Sequence, residues 1–158
     1  MFIPLIAFVS FAAVLVALAT QHLFDMQPCA WCTFQRLIYL VIGALAVTAW
    51  LRSRVGLRRA RLSLLALTMA LLSAYGVAVA LYQHLVASRT ESCSLTLADK
   101  VIKAAHLDEI APWLFKATAY CSEANVPLLG LPYALWSALL FALLTYLALR
   151  GSWQSARR

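Results

Sequence analysis

The chain has 158 residues, of which 64% are hydrophobic and only 12% are charged. A soluble domain carries about 45–50% apolar and roughly 25% charged residues, so this chain has too few charges to cover a surface in water. The composition excludes an ordinary soluble enzyme and predicts an integral membrane protein. The net charge of +7 does not indicate nucleic-acid binding, because the basic residues cluster at the ends of apolar segments.

Four segments are apolar enough to cross a bilayer, which takes about 20 mostly apolar residues. Residues 1–24, 62–88 and 124–149 carry no charged side chain, and residues 37–51 follow a single interruption at Arg36. These segments predict an all-α fold, a bundle of four membrane helices. We expect one domain, 1–158, with spans at about 3–20, 31–51, 62–82 and 128–149.

The first segment could also be a signal peptide, because "ALA" at residues 17–19 resembles a cleavage site. However, the start "MFIPLIAFVS" has no basic residue. The apolar stretch is also longer than the core of about 7–15 residues that signal peptides have. We therefore predict that it is retained as the first membrane helix.

The charges predict how the helices are oriented. Short loops rich in Lys and Arg stay in the cytoplasm. This places both termini and the 52–61 loop in the cytoplasm, and the 21–30 and 83–127 loops outside. Eight of the thirteen basic residues lie on the predicted cytoplasmic side: Arg52, Arg54, Arg58, Arg59, Arg61, Arg150, Arg157 and Arg158. All six acidic residues lie on the other side: Asp25, Glu91, Asp99, Asp108, Glu109 and Glu123.

All four cysteines, Cys29, Cys32, Cys93 and Cys121, fall on the predicted outer side. Disulfides persist in oxidising compartments such as the bacterial periplasm, so an even number there indicates two disulfides. Three pairings are possible in principle. Taking Cys29 with Cys32 as the local pair leaves Cys93 with Cys121.

The two pairs differ in what a disulfide would achieve. A Cys93–Cys121 bridge would close a long loop, which stabilises by roughly 3–4 kcal/mol, so a purely structural role suits it as well as a redox role. A Cys29–Cys32 bridge restricts little of the unfolded chain. The Cys-X-X-Cys spacing is instead typical of reactive thiols. A zinc site with His22 or His84 is disfavoured, because such sites use two local ligand pairs. We predict no metal.

Cys32 stands where a helix start would stabilise its thiolate. If the second span begins near Ala30 or Trp31, the positive end of the helix dipole lies at this sulfur. Arg36, four residues on, shares its helix face. An arginine inside a membrane helix is by default a functional candidate, although it could instead extend to the headgroups. This position of the cysteine pair at the membrane boundary suits an electron acceptor that is dissolved in the lipid, and a quinone is the obvious candidate.

Several motifs together resemble the DsbB family. They are "QHLFDMQPCAWCTFQR" (21–36), "LYQH" (81–84), "CSL" (93–95), "PWLFKATAYC" (112–121) and "LLGLPYALW" (128–136). The resemblance implies a multi-pass protein of the bacterial inner membrane. Its implied activity is that of a quinone-dependent thiol–disulfide oxidoreductase, which re-oxidises a periplasmic DsbA-like partner and passes the electrons to ubiquinone or menaquinone.

The resemblance also implies roles for particular residues. Cys29 and Cys32 would form the first redox-active disulfide, with Cys32 nearest the quinone. Cys93 and Cys121 would form the second, with Cys93 attacked by the partner. Arg36 and His84 would support quinone binding, and residues 112–117 would form a short helix along the membrane surface.

Local residues add two expectations. Trp113, Leu114 and Phe115 would give that short helix an apolar patch for the lipid interface. Some family members carry glutamate where this chain has Gln35. The exchange would remove an ion pair and leave Arg36 freer to act on Cys32 or quinone.

Three other functions are compatible with parts of the same sequence pattern. A vitamin-K-epoxide-reductase-like enzyme also combines four helices with two cysteine pairs, but its Cys-X-X-Cys lies near the last core span. A disulfide-stapled membrane scaffold would have no redox activity. A DsbB-like paralogue could serve a single substrate. A glycine-rich dinucleotide fingerprint is absent from the sequence, so we expect no nicotinamide or flavin site.

Overall fold

The computed structural model describes residues 2–56, 59–89, 96–124 and 126–157. Four long helices dominate: α1 (Phe2–Leu23), α2 (Ala30–Arg54), α3 (Arg59–Leu85) and α8 (Tyr133–Arg157). Shorter elements connect α3 to α8: a 3₁₀ turn (Ala87–Arg89), α4 (Leu97–Ala104), α5 (Leu107–Ile110), α6 (Pro112–Phe115), α7 (Cys121–Ala124), β1 (Pro127–Leu128) and β2 (Leu131–Pro132).

The four long helices are each long and apolar enough to cross a membrane. Their mean hydropathies lie between 1.6 and 2.7 over a membrane-length window, which a water-soluble helix bundle would not sustain on every helix. The predicted all-α fold with four membrane helices is therefore confirmed. The observed helices extend a few residues beyond most of the predicted spans.

Close contacts between helices depend on small residues. α3 and α8 form the most extensive pair in the bundle. At Gly76, a Cβ atom would lie 2.5 Å from the ring of Phe141 on α8, so only glycine allows this approach. Gly43 on α2 is similarly close to Phe11 on α1, where a Cβ would lie 2.9 Å from the ring. Small residues commonly permit such packing in membrane proteins.

Helix α2 is the most buried of the four long helices and carries the Cys-X-X-Cys motif at its start. The buried share of its membrane segment is 50%, against 22–39% for the other three. Tyr39 of α2 stacks on Phe141 with ring centroids 4.0 Å apart. Its hydroxyl donates to the Ser137 carbonyl oxygen at 3.1 Å, so both ends of this side chain are fixed to α8. The helix that begins at the cysteine pair is thus held against α8 through Tyr39.

The fourth helix begins at Tyr133 rather than near 128, so the predicted start was too early. Residues 127–132 form a two-strand hairpin instead, with Pro127 opposite Pro132. Its central residues, Leu129 and Gly130, both have positive φ angles (53° and 84°), as a tight hairpin turn requires. Apolar composition alone could not reveal this turn, because the hairpin is nearly as apolar as the helix.

The short helix predicted for residues 112–117 is present as α6, with Pro112 in its first turn. The prediction that its apolar residues form a patch for the lipid interface was wrong in part. Leu114 and Phe115 are buried in the protein core, while Trp113 is 56% exposed. Of the three, only Trp113 is left for contact with lipid, and that contact stays a prediction.

Candidate redox site

Cys29 and Cys32 lie where α2 begins. Cys29 caps the helix in an extended conformation, and its sulfur accepts the backbone N–H of Cys32 at 3.4 Å. The two sulfurs are 2.8 Å apart, and both residues are thiols. A disulfide bond is about 2.05 Å long, so a small movement would close one. Cys32 falls in the first helical turn, as the sequence predicted.

Cys121 is the third sulfur at the site. It lies at the start of α7 and shares a hydrogen bond with Cys29. Two backbone N–H groups, those of Thr118 and Ala119, donate to the Pro28 carbonyl oxygen at 3.0 and 3.3 Å and hold this segment beside the Cys-X-X-Cys motif. Sequence reasoning assigned Cys121 to Cys93 and did not anticipate its contact with Cys29.

Cys93 lies outside the described residues. Its predicted pairing with Cys121 and its predicted contact with a partner therefore stay predictions. Cys121 is a thiol in the structure, next to Cys29.

The hydrogen bond between Cys29 and Cys121 makes the two thiols unequal. Burial raises the pKa of Cys29 well above its usual value. The pKa of Cys121 is lowered, chiefly because the Cys29 thiol donates a hydrogen bond to it. Near neutral pH, Cys121 is consequently the better nucleophile of the two, while Cys29 keeps its proton.

A buried glutamine from α3 completes the surroundings of the cysteine pair. The Gln83 amide nitrogen donates to the Cys32 sulfur at 3.1 Å, and it lies 3.5 Å from the Cys29 sulfur. The Gln83 amide oxygen accepts from Gln35 at 2.6 Å. Sequence reasoning missed this residue, although a glutamine near the end of an apolar span was a usable signal.

Arg36 is buried one turn below Cys32. Its guanidinium donates to Gln21 at 2.8 Å and to the carbonyl oxygens of Leu114 and Ala17 at 3.1 and 3.3 Å. This burial argues against an arginine that extends to the headgroups, and the functional role of Arg36 stays a prediction. These oxygens hold the guanidinium in place. The expectation that Gln35 leaves Arg36 freer than a glutamate would stays a prediction.

A largely apolar cavity of about 440 Å³ opens beside Cys32. Its polar wall includes Cys32, Arg36 and Gln83, and α1 and α8 supply most of the rest. The predicted ligand residue His84 is half-buried and is not part of the lining within the described residues. Adjacent residues of a helix point about 100° apart, so Gln83 faces the cavity and its neighbour does not. A role for His84 stays a prediction that this cavity does not support.

Comparison with known proteins identifies the family. The family model "Disulfide bond formation protein DsbB" matches residues 1–150. The chain is 30% identical to disulfide bond formation protein B of Cupriavidus metallidurans over 89% of this chain and 84% of that protein. It is 33% identical to the protein of the same name from Dechloromonas aromatica, over 82% and 77%. A Stutzerimonas stutzeri relative is 30% identical over 97% and 93%.

The contacts of the Cys29 sulfur with Cys32 and Cys121, at the start of a membrane helix, agree with the match to this family. Thiols that close together can exchange disulfide bonds. The chain therefore belongs to the DsbB family of disulfide bond formation proteins, disulfide-generating oxidoreductases of the membrane.

Proposed function

We propose that this protein re-oxidises a periplasmic DsbA-like thiol oxidase and passes the electrons through two cysteine pairs to a membrane quinone. The observation that carries the proposal is the contact of Cys121 with Cys29, whose own partner Cys32 lines the apolar cavity. This arrangement supports an electron route from the α3–α8 connection to a cavity that would admit a lipid-soluble molecule.

The first exchange takes electrons from the partner. A partner thiolate attacks Cys93 of the Cys93–Cys121 disulfide, forms a mixed disulfide with Cys93, and releases Cys121 as a thiolate. The second thiolate of the partner then attacks the partner's own sulfur in that mixed disulfide. This step releases Cys93 as a thiolate and leaves the partner oxidised, so two electrons now reside on Cys93 and Cys121.

The second exchange moves these electrons to the membrane boundary. Cys121 thiolate attacks the Cys29 sulfur, a Cys29–Cys121 bond forms, and Cys32 leaves with the electron pair of the broken bond. Cys93 thiolate then attacks Cys121 and releases Cys29 as a thiolate. This step restores the Cys93–Cys121 disulfide, called the loop disulfide below. The contact between Cys121 and Cys29 supports this direction, because an attack on the Cys29 sulfur makes Cys32 the departing sulfur.

The volume and the largely apolar lining of the cavity support a quinone as the acceptor. The volume of about 440 Å³ falls within the range of roughly 300–1,000 Å³ that small-molecule sites occupy. Apolar side chains of α1 and α8 would surround the ring, and Arg36 would supply a donor for one of its oxygens. A bound quinone accepts two electrons and two protons. Cys32 is the sulfur on the cavity wall and would deliver the electrons, as Cys29 and Cys32 give up two protons and re-form their disulfide.

Energetics also favour a quinone acceptor. A DsbA-like partner has a reduction potential near −120 mV, against about −200 mV for the more oxidising glutathione pools. Every 30 mV equals about 1.4 kcal/mol for a two-electron couple, so glutathione cannot re-oxidise such a partner. A respiratory quinone, either ubiquinone or menaquinone, can.

The proposed location follows from the charge distribution. The protein would lie in the bacterial inner membrane, with both termini and the 52–61 loop in the cytoplasm and the cysteines on the periplasmic side. The basic residues at the cytoplasmic ends of the spans support this orientation.

The test combines the purified protein, a reduced DsbA-like partner and a soluble quinone, with quinone reduction followed optically. We expect partner oxidation and quinone reduction in equal amounts, and neither in steady state with Cys32→Ser. A disulfide-stapled scaffold would leave the quinone unreduced and would resist mild dithiothreitol at both bridges. Either result would refute the proposal.

A further inference from the structure

The amide of Gln83 lies against both sulfurs of the Cys-X-X-Cys motif. Its nitrogen is 3.1 Å from the Cys32 sulfur and 3.5 Å from the Cys29 sulfur. Gln83 belongs to α3 and is only 1% exposed. Burying an amide in an apolar setting is costly unless its groups are hydrogen-bonded, so its position depends on these partners.

A second glutamine fixes which way the amide faces. Gln35 of α2 donates its side-chain N–H to the Gln83 oxygen at 2.6 Å and is itself buried. Because the oxygen is occupied, the Gln83 NH₂ group is left facing the sulfurs. An NH₂ group can only donate, and it donates most strongly to an acceptor that carries negative charge.

We propose that Gln83 is a catalytic hydrogen-bond donor that stabilises the Cys32 thiolate, and that Gln35 is a positioning residue that orients the Gln83 amide. The proposal rests on the proposed function only for the role of Cys32 as the departing sulfur. When Cys121 attacks Cys29, the electron pair of the Cys29–Cys32 bond goes to Cys32, and the charge appears where the Gln83 donor already lies. A donor that is already in place stabilises such charge without reorganisation.

Gln83 and Arg36 therefore act differently on Cys32. The hydrogen bonds of the Arg36 guanidinium go to Gln21 and to two backbone carbonyl oxygens, so its influence on the sulfur is that of a nearby charge. Gln83 instead contacts the sulfur directly. A hydrogen bond depends on the position of its donor. Shortening the Gln83 side chain or replacing its amide should therefore remove the stabilisation of the Cys32 thiolate entirely.

The test measures the reactivity of Cys32 without partner or quinone. The full-length protein in detergent is reduced, freed of reductant and treated with N-ethylmaleimide at neutral pH, and modification of each cysteine is followed by mass spectrometry. We expect Gln83→Met, which keeps the side-chain length, to slow Cys32 alkylation about five- to tenfold. Loss of a hydrogen bond to a charged group lowers the amount of thiolate by more than about tenfold. The greater nucleophilicity of a more basic thiolate offsets about half of that loss on a logarithmic scale. Cys121 should react within about twofold of its normal rate, which also reports a folded site.

An unchanged Cys32 rate in folded Gln83→Met would overturn the proposal. If that variant does not fold, Gln83→Asn decides instead, because it keeps a neutral amide on a side chain one methylene shorter. The shorter side chain draws its N–H groups back from the Cys32 sulfur, so we expect Cys32 alkylation to fall by about fivefold. A normal rate in Gln83→Asn would overturn the proposal equally. Thr68→Val, on the exposed face of the same helix, is the matched control and should leave the rate unchanged.

A double-mutant cycle tests the role of Gln35. If Gln35 acts only by orienting Gln83, Gln35→Met should slow Cys32 alkylation about two- to threefold with Gln83 present and have no effect in Gln83→Met. Equal losses in both backgrounds would overturn its positioning role. Because these rates need neither partner nor quinone, they remain informative even if the quinone assay fails.

Discussion

Arg36 connects the cavity to the segment that carries Cys121. Its guanidinium lines the cavity and also bonds the Leu114 carbonyl oxygen of α6. We predict that Arg36→Met raises the KM for quinone by about tenfold or more, because hydrogen bonds to charged groups contribute about 1.5–3 kcal/mol. The KM for the partner should change far less. Arg36→Lys should be milder, since it keeps the charge but loses the planar fork.

Steady-state kinetics with quinone and partner varied separately would measure both constants. An equal quinone KM in the wild type and Arg36→Met would refute this assignment. If both KM values rose together, Arg36 would be holding the outer segment rather than the ligand.

Cys121 should react as an unusually acidic thiol. Its pKa is lowered chiefly by the hydrogen bond from Cys29, so in the reduced protein its alkylation should reach half-maximal rate at a lower pH than for an ordinary cysteine. Cys29→Ala removes the donor and should move this midpoint to higher pH. The pH dependence of maleimide modification at Cys121 would measure both. A midpoint that Cys29→Ala does not move would show that the hydrogen bond has no influence on this thiol.

At the residue scale, the sequence predicted the cysteines and Arg36 but not what surrounds them. The Cys-X-X-Cys spacing and an arginine one helical turn on are local patterns, and local patterns are visible in sequence. The partners of Arg36 come from α1 and from α6, and Gln83 comes from α3. Contacts between distant segments depend on packing, which a single sequence does not specify.

Glycine at the α3–α8 contact is the clearest requirement at the element scale. Because a Cβ at Gly76 would lie within 2.5–2.7 Å of the Phe141 ring, Gly76→Ala should destabilise the bundle by about 1–3 kcal/mol, the usual cost of overpacking. Phe141 also stacks on Tyr39, which lines the cavity. Thermal unfolding in detergent would measure the loss of stability.

Gly151→Ala on α8 is the matched control for this experiment. A Cβ there meets nothing within 4 Å, so the change should be neutral or slightly stabilising, as alanine favours helices. Equal unfolding temperatures for Gly76→Ala and the wild type would mean that the two helices can separate without cost, contrary to this packing.

All four membrane helices could be predicted from segments that carry few or no charges, because about twenty consecutive apolar residues are rarely stable outside a membrane. The start of α8 was misplaced, since the turn at Leu129 and Gly130 interrupts the backbone without interrupting the apolar composition. The buried side of α6 was also misjudged. Apolar residues on a short helix can face lipid or protein, and only the packing of Leu114 and Phe115 decides between them.

At the scale of the whole molecule, the orientation in the membrane determines whether the cysteines can work. We predict that a reporter active only outside the cytoplasm functions when fused after Val86 and fails when fused after Arg54. The basic residues near the 52–61 loop favour its retention in the cytoplasm. Activity after Arg54 would invert the orientation and place every cysteine in a reducing compartment, where disulfides rarely persist.

The central claim is that two cysteine pairs act in series, and single-turnover stoichiometry tests it most directly. Each purified variant is mixed with excess reduced partner, and the oxidised partner is counted. Cys32→Ser keeps the loop disulfide, but quinone cannot re-oxidise this variant. About one partner molecule should therefore be oxidised per molecule of Cys32→Ser. Cys93→Ser should oxidise none, although quinone should still re-oxidise its chemically reduced Cys29–Cys32 pair.

The same mixtures identify the attacked sulfur when the partner lacks its second cysteine, because the mixed disulfide then cannot resolve. The account predicts that this partner is trapped on Cys93 in the wild type, where its thiolate displaces Cys121 from the Cys93–Cys121 disulfide. Cys121→Ser has no such disulfide to attack and should form no complex. A partner trapped on Cys29 or Cys32 instead, or an oxidised partner in the Cys93→Ser mixture, would contradict the serial order and leave the loop pair as a structural bridge.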